Sequence, residues 1–217
     1  LMFGLPDETL SDWQSDINEA LSLGVQHISA YSLMYEEETP LFRLLNEKKI
    51  KEINEETSLK MYEMLIESLT SNGFEHYEIS NFALPGYRSK HNSSYWKQIP
   101  YLGIGASAHS YNIVSRQWNV ADVKDYIRLI NASSHEYIEE TEHLTDTERY
   151  NDLITTALRT CDGIDTSSLP QRHRDFILKA SQKHIALGNL SLDNGIIRLT
   201  RQGLFISDSI MVDLIEE

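Results

Sequence analysis

With 217 residues and a formal net charge of -14, the chain is long enough to bury a sizeable core without covalent staples, and its long-range field repels polyanions such as nucleic acid or an anionic membrane surface. Cys161 is the only cysteine, which excludes an intrachain disulfide, a cysteine-rich zinc site and a cluster ligand set drawn from this chain alone. The sequence shows neither a charged-then-apolar leader nor an apolar run of about 18 residues, and the expectation is a soluble, cytoplasmic protein.

Leu1 to Pro6 reads as the end of a buried strand running into a turn, so the chain is expected to have been cut upstream, inside a sheet. After Pro6-Asp7-Glu8, apolar Leu10, Trp13, Ile17, Ala20, Leu21 and Leu23 recur at helical spacing and Gly24 marks a stop. Val25 to Leu33, rich in β-branched and aromatic residues, predicts a strand and completes a βαβ unit. An acidic loop follows, Thr39-Pro40 opens a short helix to about Asn46, and Met61, Leu65 and Leu69 place one stripe on a helix from about Asn54 to Ser71. Asn72-Gly73 ends it and Phe74 to Ile79 predicts another strand. Such alternation implies an α/β fold with parallel strands, an open sheet or part of a barrel, whose ligands sit in loops at strand C-terminal ends. Three such loops are Gly4-Leu5-Pro6, Leu33-Met34-Tyr35 and the stretch from Ser80 through Trp96.

From Thr145 the character changes. Thr145-Asp146-Thr147-Glu148 is a capping-box pattern opening a helix to about Thr160, and a second helix is expected over about Gln171 to Leu187. Asn194-Gly195 between Leu190-Ser191-Leu192 and Ile196 to Leu199 is the strongest hairpin signal in the chain. A last helix runs from about Arg201 to Ile215. Helices with a small hairpin read as a winged-helix-like appendage, so the expected division is 1–139 and 140–217.

Candidate chemistry concentrates in Lys90-His91-Asn92-Ser93-Ser94-Tyr95-Trp96 and in Pro100-Tyr101-Leu102-Gly103-Ile104-Gly105-Ala106-Ser107-Ala108-His109-Ser110. Imidazole ligates iron or donates a proton, and flat rings stack on a planar macrocycle. The competing reading is that His91 and Asn92 cap a loop that Tyr95 and Trp96 anchor in the core. Gly103 to Ala108 also fits the dinucleotide fingerprint, with Asp122 and Asp125 downstream, but His109 to Trp118 lacks the helical stripe that a fingerprint requires. The glycines instead let the backbone turn or approach a ligand closely.

These residues carry a resemblance. Leu1-Met2-Phe3-Gly4-Leu5-Pro6-Asp7-Glu8-Thr9 resembles the strand and turn of the radical S-adenosylmethionine (SAM) oxygen-independent coproporphyrinogen III oxidase-like family, with Glu8 where a Gln is usual. His91-Asn92-x-x-Tyr95-Trp96 resembles the signature of its HemW, haem-chaperone branch, and Gly103 to Ser110 looks like the family's next strand. Leu158-Arg159, Gly163-Ile164-Asp165, Leu187-Gly188 and Leu199-Thr200-x-x-Gly203 are similar to its C-terminal domain. The resemblance implies the C-terminal part of an incomplete parallel (β/α) radical SAM barrel plus a small helical winged-helix-like domain. It implies haem or porphyrin as ligand, with His91, Asn92, Tyr95 and Trp96 facing the tetrapyrrole and His91 as a haem-iron ligand. Gly4, Leu5, Pro6 and Met34 would line the SAM end, and Gly103, Gly105 and His109 would lie near the ligand. The 4Fe-4S cluster and SAM belong to the full-length protein, since the family's Cys-x-x-x-Cys-x-x-Cys loop lies upstream; this chain alone is expected to be inactive.

Haem chaperone and coproporphyrinogen III oxidase are the two functions this implies, the His-Asn-x-x-Tyr-Trp string favouring the first. A nucleic-acid-binding winged-helix module is the remote alternative, opposed by eight Lys and Arg against eleven Asp and Glu in residues 145–217. His27 and His76 read as strand residues, His135, His143, His173 and His184 as surface positions, and Glu36-Glu37-Glu38 as a solvated loop. The haem acceptor is not legible. An exposed sheet edge where strands are missing predicts oligomerisation or reduced stability.

Overall fold

The computed structural model describes residues 1–132 and 135–217. The chain divides into two compact units, Leu1–Ser89 and Lys90–Glu217.

The first unit opens with β1 (Met2–Phe3) and α1 (Leu10–Ser22). Thr9 caps α1 by accepting from the Asp12 amide while the Asp12 carboxylate accepts from the Thr9 amide, a capping box that satisfies two otherwise orphaned donors. The stripe predicted from spacing is the buried one: Trp13 and Ile17 are fully enclosed, and Gly24 ends the element at φ 66°. The predicted strand from Val25 to Leu33 divides into β2 (His27–Ser29) and β3 (Tyr31–Ser32) because its partner changes at Ala30. β3 runs parallel to β1, as a βαβ unit requires. After α2 (Pro40–Asn46) and α3 (Glu55–Ser71), capped by Thr39 and Asn54, come β4 (Glu75–Glu78) and β5 (Asn81–Ala83). Met61, Leu65 and Leu69 are fully buried on α3, as their spacing predicts.

β2 pairs with β5 antiparallel, and β5 pairs with β4 antiparallel. The parallel alternation expected from sequence therefore stops at β3. The reason lies in the two-residue turn Ile79-Ser80, which sends the chain straight back beside itself where a parallel partner would need a long crossover. Buried Glu78 secures that turn, its carboxylate accepting from the Ser80 amide at 3.1 Å and from the side-chain amide of Asn81, whose carbonyl accepts from Ser29 Oγ at 2.6 Å.

In the same sheet, Tyr77 Oη accepts the Ser89 amide proton and lies 2.7 Å from His27 Nε2. A hydroxyl that has accepted one proton can give its own to an unprotonated ring nitrogen, and burial pushes the His27 pKa down. Because the folded state then binds fewer protons than the unfolded state, this contribution to stability is present above pH 6.5 and is lost as pH falls from there through the lower folded value. Thermal melts across that interval should show a shallower loss in His27→Gln than in the parent chain; parallel curves would rule the contribution out.

The second unit comprises α4 (Lys90–Trp96), β6 (His109–Tyr111), β7 (Ser115–Asn119), α5 (Val123–Asn131), β8 (Ile138–His143), α6 (Asp146–Ala157), β9 (Ile164–Asp165), α7 (Gln171–Ala180), α8 (Gln182–Ala186), β10 (Leu190–Asp193), β11 (Ile196–Leu199), α9 (Arg201–Leu204) and α10 (Ser207–Leu214). β6, β7 and β8 form one antiparallel sheet, and β10, β11 and β9 a second. The hairpin turn Asn194-Gly195 has φ 53° and 80°, the left-handed pair its sequence predicts. Thr145 and Glu148 form the expected capping box on α6. Two predicted helices are each broken: α7 stops before α8 at fully buried Ser181, and α9 and α10 part at Phe205-Ile206. His173 and His184, expected at the surface, are buried, because Glu216 and Asp213 at the distant C-terminal end meet them at 2.8 Å and 2.9 Å. The side chain of His135 lies outside the described residues. No helix among the described residues is long and apolar enough to cross a membrane.

Candidate functional site

The stretch around His91 is a helix, α4, where a loop was expected. Four-residue spacing therefore sets His91 and Tyr95 on one face, and their rings meet edge-on with centroids 4.9 Å apart. The aromatic chain continues: Tyr95 meets Tyr101 edge-on at 4.8 Å, and Tyr101 lies 6.0 Å from Tyr111. Tyr101 and Tyr111 are fixed opposite one another by two reciprocal backbone hydrogen bonds of 2.9 Å. His91 is exposed, Asn92 half-buried and Tyr95 37% exposed, so this face is accessible. At Trp96 the Arg159 guanidinium lies 5.4 Å from the ring centroid, and Nε1 is buried without a hydrogen-bond partner among the described residues. Trp96 is thus an anchor of α4, while His91 and Tyr95 are presented.

The aromatic chain leads into a cavity of about 230 Å³ lined by Tyr95, Gln98, Ile99, Tyr101, Tyr111, Arg116, Asp152 and Thr156. Arg116 on β7 donates from Nη2 to Asp152 on α6. Burial raises the phenol pKa values of Tyr101 and Tyr111, keeping both as neutral donors. The hydrogen bond it donates to Asp152 raises the Arg116 pKa further, so the guanidinium is charged at any ordinary pH. Of these residues only Tyr95 was singled out from sequence for a ligand role. The others come from the loop after α4 and from β6, β7 and α6, and they are assembled by the pairing of Tyr101 with Tyr111, of β7 with β6, and of Arg116 with Asp152.

Gly103 and Gly105 serve the protein's own packing. A Cβ at Gly103 would stand 2.1 Å from the His109 carbonyl oxygen, so only glycine lets the loop close on β6. The Gly103 amide donates to Ser110 Oγ, the Gly105 amide donates to Tyr126 Oη, and the Gly105 carbonyl accepts from Asn119. No helix opens at the pair; β6 follows, and Asp122 is the N-cap of α5. His109 is exposed and stacks on Trp118 with centroids 5.5 Å apart.

In the first unit, Gly4 is buried at φ 81°, and Glu8 folds back so that Oε2 accepts the Gly4 and Leu5 amides at 2.7 Å and 2.9 Å. The turn is therefore closed by the residue that stands where the family has Gln. Leu5 is 40% exposed, Pro6 half-buried and Met34 71% exposed. Among the described residues no group of three or more His, Cys, Asp or Glu side chains could hold a metal ion, and Cys161 is exposed.

Residues 144–206 match the family model described as the HemN C-terminal domain. The chain is 34% identical over 214 residues to the Heme chaperone HemW of Bacillus subtilis, covering 97% of this chain and 56% of that protein. It is 27% identical over 215 residues to the Heme chaperone HemW of Mycobacterium tuberculosis, covering 99% of this chain and 54% of that protein. Among solved structures, coproporphyrinogen III oxidase (HemN) from Escherichia coli, a radical SAM enzyme, matches with a TM-score of 0.71 and 18% identity over 99% of this chain and 54% of that one. That likeness shows a shared α/β fold. The chain spans about half the length of these curated relatives.

Proposed function

The chain belongs to the HemN/HemW-like family, and from that premise we propose that it is the C-terminal portion of a haem- and porphyrin-handling radical SAM protein whose role is that of a haem chaperone. The observation that carries the reading is the exposed His91–Tyr95 pair on α4, an imidazole set at right angles to an aromatic ring at the head of a tyrosine-lined cavity. His91 offers an axial nitrogen to haem iron, and Tyr95 offers apolar ring surface to the macrocycle. Asn92 and Trp96 hold α4 in place, and Gly103, Gly105 and His109 shape the loop beside it. Gly4, Leu5, Pro6 and Met34 are proposed for the SAM end.

In the same reading, residues 1–139 are the C-terminal part of the barrel and 140–217 the winged-helix-like domain, located in the cytoplasm, with association through an open sheet edge. The lone Cys161 does not supply the thiolates that a 4Fe-4S cluster takes, so no radical step is assigned to this chain. The cluster and SAM are placed in the full-length protein.

Titration of the chain with haem, followed in the Soret region, tests the site. The parent chain should give a ligated band, and His91→Ala should lose that band and bind at least about tenfold more weakly, the scale of one strong contact. An unchanged band and affinity would remove His91 as the ligand. The second reading, coproporphyrinogen III oxidase, is separated by assaying the full-length protein for decarboxylation: robust turnover selects the oxidase.

A further inference from the structure

The cavity beyond Tyr95 has a composition that the His91–Tyr95 pair does not account for. Arg116 makes a single side-chain hydrogen bond among the described residues, Nη2 to Asp152. Its Nε and Nη1 groups therefore have no protein acceptor there, although the residue is only half-exposed. Tyr95, Gln98, Tyr101 and Tyr111 line the same space, and their hydroxyl and amide groups likewise have no side-chain partner among the described residues. Such a wall sets donors without side-chain acceptors beside one planar cation whose free edge matches a carboxylate, although the Asp152 carboxylate shares the lining.

We propose that this cavity is a carboxylate subsite, in which the free edge of the Arg116 guanidinium and the tyrosine hydroxyls receive a carboxylate carried by a flat apolar ligand resting on Tyr95. Resting on the functional reading above, the ligand carboxylate is a propionate of the macrocycle. The volume of about 230 Å³ suits a short acid side chain and excludes the ring system itself. Charge opposes the binding in one respect: Asp152 already neutralises one edge of Arg116, and Glu142 stands across from it on β8. The incoming group therefore competes for the open edge, and Asp152 acts as a brake on affinity. Arg149, itself paired with Asp146, adds positive potential at Tyr111.

The test uses two probes. In the first arm, 3-phenylpropionate and its uncharged amide are titrated while the side-chain Nε–H resonance of Arg116 is followed by NMR. The acid should shift that resonance and the amide should not, and Asp152→Asn should tighten the acid several-fold; in Arg116→Gln, which lacks that resonance, calorimetric titration should show binding of the acid lost. Because the two variants act in opposite directions, a loss of folding cannot imitate the pattern. No shift in the parent chain overturns the subsite. In the second arm, protoporphyrin and its dimethyl ester are compared. The diacid should bind about tenfold tighter than the ester, the scale of one charge-assisted contact, and Arg116→Gln should erase that preference with ester affinity unchanged. Equal binding of acid and ester overturns the propionate assignment. Neither probe contains iron, so failure of the haem ligand His91 is read separately.

Discussion

Trp13→Ala is expected to destabilise the first unit by about 3–5 kcal/mol, the range for removing a large aromatic side chain from a packed core. Trp13 is fully buried between α1 and α3, its ring lies 5.3 Å from that of Phe3, and its Nε1–H donates to the Met61 carbonyl at 2.9 Å. Two effects are mixed in the truncation, and their magnitudes differ. Trp13→Phe keeps much of the apolar volume; it deletes the hydrogen bond, worth about 1 kcal/mol net, and the packing of one fused ring. Urea unfolding followed by far-UV circular dichroism should therefore rank parent, Phe variant and Ala variant in that order, with the larger gap between the last two. If the Phe and Ala variants unfold at the same urea concentration, burial is not what Trp13 contributes.

Glu216→Ala should destabilise the second unit by about 1–3 kcal/mol, because removing its carboxylate leaves the buried His173 Nδ1 without its hydrogen-bond partner. Glu216 is 8% exposed and lies one residue from the end of the chain, yet four contacts hold it. His173 Nδ1 and Arg172 Nη2 each lie 2.8 Å from its carboxylate, its amide donates to Asn151 Oδ1, and its carbonyl accepts from Asn151 Nδ2. The His173 imidazole is itself sandwiched against Tyr150, whose hydroxyl donates to the Leu214 carbonyl. For a unit of this size the cost corresponds to a fall of about 3–15 °C in Tm. Glu217→Ala, the neighbouring control, should leave Tm within about 1 °C, as for an exposed position without partners. A melt of Glu216→Ala that overlays the parent would show that this end of the chain is not part of the core.

Much of the first unit was legible because its signals are local. Periodicity at Trp13, Ile17 and Ala20, the Met61-Leu65-Leu69 stripe, Thr39-Pro40 and Asn72-Gly73 each fix an element from within a few residues. The second unit was legible where a turn forces the answer, as at Asn194-Gly195. It was not legible where distant strands choose one another: β6, β7 and β8 carry polar, short runs such as Ile138-Glu139-Glu140-Thr141-Glu142-His143 that no alternation marks. His173 and His184 looked solvated because they sit among Arg172, Arg174, Lys179 and Lys183, and the acids that bury them lie 43 and 29 residues away. The same limit applies to the candidate site. His91 and Tyr95 stand out in sequence as a motif, whereas Arg116 and Asp152 become neighbours only after β7 and α6 have found their places.

The exchange of partners at Ala30 has a mechanical meaning. Residues 27–29 are bonded to β5, the Ala30 amide to Ser80, and the Tyr31 and Leu33 amides to Leu1 and Phe3. One uninterrupted length of backbone is thus the common hinge leaf of a parallel ladder and an antiparallel one. A disturbance that peels the first strand away is felt at Asn81 without travelling through any side chain, which ties the turn around Gly4 and the Glu78 knot into one cooperative body.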